Sequence, residues 1–105
     1  MAWISSGRVS SPALDAVLLD TGPLISGTRA PQAIISSTVA AAFELQWRDA
    51  ANLVTLRSQI LACLAFDTRN TIINSTIEML TNERLRVLAV GTIVGTVSVS
   101  LFYPP

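Results

Sequence analysis

The stretch Pro31-Gln32-Ala33-Ile34-Ile35-Ser36-Ser37-Thr38-Val39-Ala40-Ala41-Ala42-Phe43-Glu44-Leu45-Gln46-Trp47 decides which fold the chain is expected to take. Pro31 suits the first turn of a helix, where the missing N–H has no intrahelical partner to lose. Behind it Ile35, Val39, Ala42, Phe43 and Trp47 recur at steps of three and four, the spacing of one helix face.

Outward from this stretch the same period extends in both directions. Ser10-Ser11-Pro12 reads as an earlier helix start, with Leu14, Val17 and Leu18 as its apolar stripe and Thr21-Gly22-Pro23 as its end. Gly27 to Pro31 is a loop. Asp49 caps a third helix carrying Leu53, Leu56, Ile60 and Leu64 to about Asn70, and Ile72, Ile73, Ile77 and Leu80 continue it. Thr81 or Asn82 caps a fourth from Glu83, with Leu85, Leu88 and Ala89 inward. From Thr96 the pattern changes: Val97, Val99 and Leu101 alternate with Thr96, Ser98 and Ser100, which predicts a half-buried extended tail. Amphipathic helices joined by short loops pack by default as an antiparallel four-helix bundle. The expectation is an all-α single domain over 1–105 with an extended C-terminal tail.

Composition narrows the function. Of 105 residues, 50% are hydrophobic and 13% charged, with seven cations, seven acids and no His. The charged share is about half the ordinary quarter of a soluble domain, so the chain must hide apolar surface in a membrane or against copies of itself. All seven cations are Arg, whose planar fork suits interfacial ion pairs and phosphate. Zero net charge removes a long-range basic field but leaves room for a few local arginines. Arg8, Arg29, Arg48 and Arg57 are expected in surface or inter-subunit ion pairs with Asp15, Asp20, Glu44 and Asp49.

Enzymatic chemistry finds little footing. Cys63 is the only cysteine, sits among apolar residues and reads as a small buried hydrophobe. Without His, triads and the common zinc sites disappear. The spacings of Gly91 to Gly95 and Gly22 to Gly27 do not make a phosphate loop. No cofactor, metal or small-molecule substrate is expected. Leu85 to Tyr103 is the one candidate membrane anchor, but its uncharged part is short of the roughly 20 residues a spanning helix needs.

The most specific string is Ala65-Phe66-Asp67-Thr68-Arg69-Asn70-Thr71-Ile72-Ile73. On a helix, Asp67 and Arg69 do not face each other, so both are free to reach one ligand: Arg69 a phosphate by two parallel hydrogen bonds, Asp67 a ribose hydroxyl, with Asn70 as cap or base contact. Phe43, Phe66 and Trp47, at helical positions, read as core. The string closely resembles the signature of rod-shaped plant virus coat proteins, the tobamovirus group above all, with Thr71 where a second arginine often stands. Phe43-Glu44-Leu45-Gln46-Trp47 is similar to that family's aromatic spacing on its second helix. The resemblance implies a four-helix bundle stacked into a rod around single-stranded RNA, a location in the virion, and RNA contact by Asp67 and Arg69. Arg84 and Arg86 are added on charge and closeness to a helix start. The competing readings are a membrane-associated protein anchored by 85–103 and a filament free of nucleic acid, in which Asp67 and Arg69 bond across subunits.

Overall fold

Residues 31–47 form two strands rather than one helix. In the computed structural model, which describes residues 3–72 and 77–103 (the side chains of Trp3, Asp67 and Arg69 to Ile72 excepted), they give Gln32–Ser37 and the start of Ala41–Arg48. The physical reason lies in the spacing. Ile35, Val39, Phe43 and Trp47 are four apart, and a step of four satisfies the strand period of two as well as the helix period. The β-branched and hydroxyl residues of Ile34-Ile35-Ser36-Ser37-Thr38-Val39 tip the local balance to extended backbone. Ala33, Ile35 and Ser37 are then buried while Gln32, Ile34 and Ser36 are half-buried.

The remaining helical expectations fail in the same way, and no helix is present among the described residues. The strands are β1 (Trp3–Ser5), β2 (Val9–Ser10), β3 (Val17–Asp20), β4 (Gly27–Arg29), β5 (Gln32–Ser37), β6 (Ala41–Arg48), β7 (Thr55–Cys63), β8 (Asp67–Ile72), β9 (Ile77–Met79), β10 (Arg84–Ala89) and β11 (Thr96–Phe102). The expected all-α bundle is therefore corrected to an all-β fold. The first helix is replaced by β3, the third by β7 and β8, and the fourth by β10. Ile73 lies outside the described residues. The tail from Thr96 is extended as its alternation predicts, with Val97, Val99 and Leu101 buried. The stretch 85–103 is β10, a loop and β11, not an anchor helix, and no helix is long and apolar enough to cross a membrane among the described residues.

The topology has a simple origin. Trp3 pairs with Phe102, Asp20 with Arg86, Arg29 with Ile77, Ser37 with Asp67, and Trp47 with Arg57. The two residue numbers in each pair add to nearly the same total along the whole chain. The polypeptide is thus one long antiparallel ribbon whose tip is the β6–β7 turn. Folding the ribbon over itself adds two closing ladders, β5 with β11 and β6 with β10. The result is two facing sheets, ordered β1-β11-β5-β8 (with β2 also on β11) and β3-β10-β6-β7, plus the small β4-β9 pair. This strand order is that of a jelly roll.

The core lies between the sheets. Phe43, Leu61, Leu85 and Val87 from one meet Ile35, Val97, Val99 and Leu101 from the other. Each such fully buried side chain contributes roughly 1.5–3 kcal/mol of hydrophobic stabilisation. Cys63, the one cysteine of the sequence, is buried in that layer. The two ends of the sandwich follow from strand direction: loops 11–16, 38–40, 64–66 and 90–95 share one end, and 21–26, 49–54 and 80–83 share the other.

Candidate binding groove and association surfaces

The outer face of the β1-β11-β5-β8 sheet is built from the strand positions that alternate with the core. On β11 these are Thr96, Ser98 and Ser100, and on β5 Ile34 and Ser36. Register sets Ser98 opposite Ser36 and Ser36 opposite Thr68, so three hydroxyl residues form one row across β11, β5 and β8. Near the loop end this row opens into a groove of about 590 Å³, also lined by Arg8, Thr38 and Phe66.

Local backbone chemistry shapes that groove. Thr38 and Thr96 clamp its end: the Thr96 N–H donates to the Thr38 hydroxyl at 2.9 Å, and the Thr38 N–H donates to the Thr96 carbonyl at 3.0 Å. Gly95 permits the approach, because a Cβ there would stand 2.8 Å from the Thr38 hydroxyl oxygen and 2.9 Å from a Val39 methyl. Phe66 sits at φ +55° with 85% of its surface exposed. A bulky aromatic in the left-handed region is a true outlier that carries strain. Arg8 is exposed and forms no ion pair or side-chain hydrogen bond among the described residues.

The opposite sheet presents a bonded polar row. Arg84 meets Asp20 at 3.5 Å. The Arg86 Nε donates to the Gln46 amide oxygen at 2.6 Å, and the Gln46 amide nitrogen donates to the Glu44 carboxylate. Burial first, and the nearby Arg48 next, push the Arg86 pKa down from its ordinary value. Arg48 itself is tied to Asn52 and Thr55 across the β6–β7 turn.

The residues expected at an RNA groove are therefore divided between the sheets. Asp67, Arg69, Asn70 and Thr71 occupy β8, in register with Ser37, Ile35, Ile34 and Ala33, and their side chains lie outside the described part. Arg84 and Arg86 stand on β10, inside the other sheet's hydrogen-bonded row. The expected ion pairs are also redrawn. Arg29 is 3% exposed and donates to the carbonyls of Tyr103 and Ile25 at 2.8 and 2.9 Å, and Arg48 bonds to neutral groups. Asp20 takes its partner from Arg84.

Two features escaped the sequence reading. Phe66 was expected in the core and is instead one of the most exposed side chains, and Arg8 lines the groove, with no ion pair among the described residues. The alternation of hydroxyl residues in 96–100 was the one legible sign of this face. The ends of the sandwich are the other: Leu14, Leu64, Val90 and Val94 are exposed at one end, and Ile25, Leu53, Val54 and Leu80 at the other. Among the described residues no cluster of three or more Cys, Asp or Glu is placed to hold a metal ion. No protein-family model, curated protein or solved structure matches this chain.

Proposed function

We propose that the protein is a self-assembling structural subunit of coat type, with copies joined end to end through the apolar loop tips. The observation that carries this reading is the pair of apolar ends. Val94 is 77% exposed at one and Leu53 78% at the other, in a chain with only 13% charged residues to keep such surfaces in water. Exposed apolar surface of this kind marks association sites. Because the two ends differ, contact between them is head-to-tail, and such contacts generate rings or open filaments. Jelly rolls serve in shells and in binding proteins alike, so the fold by itself only allows the reading.

Single-stranded RNA is the cargo suggested by the resemblance of residues 65–73 to the rod-shaped virus signature, and the virion is the corresponding location. Negative-stain microscopy of the purified protein, combined with nuclease treatment, tests both parts. Regular rings or filaments are expected, with RNA protected inside them. Assemblies without protected RNA keep the structural subunit and remove the cargo. A particle-free preparation at high protein concentration overturns the reading.

A further inference from the structure

We propose that the groove bounded by Arg8 and Phe66 is a binding site for an acidic sugar, a ring carrying one carboxylate and several hydroxyls. This goes beyond self-association and does not depend on it.

The lining selects the ligand. Among the described residues it holds one cation, Arg8, and no acid, so it favours a single anionic group, which a guanidinium takes through two parallel hydrogen bonds. Ser36, Ser98, Thr68 and Thr96 add hydroxyls that each donate and accept, the versatility a polyol requires. Among the described residues no Asn or Gln, the side chains that read adenine edges, lines the groove. The chain is neutral overall, and among the described residues the lining offers no succession of cations along which an oligonucleotide backbone would run. The volume of about 590 Å³ falls within the roughly 300–1,000 Å³ of small-ligand sites. Phe66 supplies the platform. Its ring stays in solvent at the groove edge while its backbone is strained, and strain of this kind clusters at ligand clamps. The C–H face of a sugar ring stacks on such a surface.

The test is a chemical-shift titration of the full-length protein. The probes are methyl β-glucuronide and N-acetylneuraminic acid, with methyl β-glucoside as the neutral control and a ten-residue oligouridylate as the competing class. At least one acid should bind saturably and shift the Ser98 and Thr68 amides, about tenfold more tightly than the neutral sugar. Which acid binds identifies the source of the carboxylate. Arg8→Ala should abolish the preference for the acid, and Phe66→Ala should weaken acidic and neutral sugars together. Both positions are exposed, so unchanged far-ultraviolet dichroism separates lost binding from lost fold. Equal binding of the neutral sugar overturns the proposal. So does the absence of saturable binding by either acid, or an oligouridylate that occupies these same residues more tightly.

Discussion

Phe66 donates its backbone N–H to the Ser37 carbonyl oxygen at 2.9 Å, and this bond closes the β7–β8 loop with Phe66 held at φ +55°. The left-handed region costs an L-residue roughly 1–2 kcal/mol, and a side chain this exposed recovers little by packing. Phe66→Gly should therefore stabilise the fold by about 0.5–1 kcal/mol in urea unfolding, while Phe66→Ala, which keeps a Cβ, should gain less. A glycine variant no more stable than the alanine variant would remove the argument for strain.

Gly95 has the opposite constraint. Its close neighbours are the Thr38 hydroxyl and the Val39 side chain, so Gly95→Ala should destabilise by about 1–3 kcal/mol through overpacking. Combination with Val39→Ala should recover part of that loss, because the double variant relieves one of the two contacts. The same unfolding experiment checks it, and an additive double variant would show that Val39 is not the obstacle.

Arg29 fastens the end of the chain. Its buried guanidinium donates to the carbonyls of Ile25, before β4, and Tyr103, after β11. Arg29→Ala leaves two carbonyl groups without these donors, and a cost of about 2–4 kcal/mol is expected. Hydrogen exchange should show the Phe102 and Leu101 amides losing protection before those of β6. Uniform loss across both sheets would mean that the arginine supports the fold globally rather than the terminal strand.

The β6–β7 turn should respond to acid. Hydrogen bonds from the Val54 and Leu53 amides hold the Asp49 carboxyl below its ordinary value of 3.8. A folded-state value below the unfolded one means that Asp49 supports the turn above pH 3.8, and that this support is lost as pH falls through the lower folded value. The Leu53 and Val54 amide resonances should titrate with a midpoint under 3.8, and Asp49→Asn should abolish the transition. A midpoint at or above 3.8 would contradict the assignment.

What the sequence made legible depends on which periods its apolar residues could satisfy. Thr96 to Leu101 alternates strictly and permits one reading, and β11 is where that reading places it. Ile35, Val39, Phe43 and Trp47 satisfy both periods at once, so spacing alone could not separate a helix from two strands. The discriminating signal was the β-branched and hydroxyl content between them, together with Ala33 and Leu45 on the same odd-numbered positions. The ribbon pairing joins residues as distant as Trp3 and Phe102, and no local pattern encodes such a partner. The groove shared that fate. Arg8 and Phe66 are far apart in sequence and meet only when β2 and the β7–β8 loop converge on β11 and β5.

Head-to-tail association of the two apolar ends is tested most directly by sedimentation velocity of two singly capped variants. Val94→Asp places a charge at one end and Leu53→Asp at the other. The unmodified protein should sediment as species larger than its 11.2 kDa subunit. Each variant alone should be monomeric. An equimolar mixture should form one-to-one heterodimers, because each variant keeps the end that the other lacks. Either variant still assembling alone, or a mixture that stays monomeric, would contradict the account.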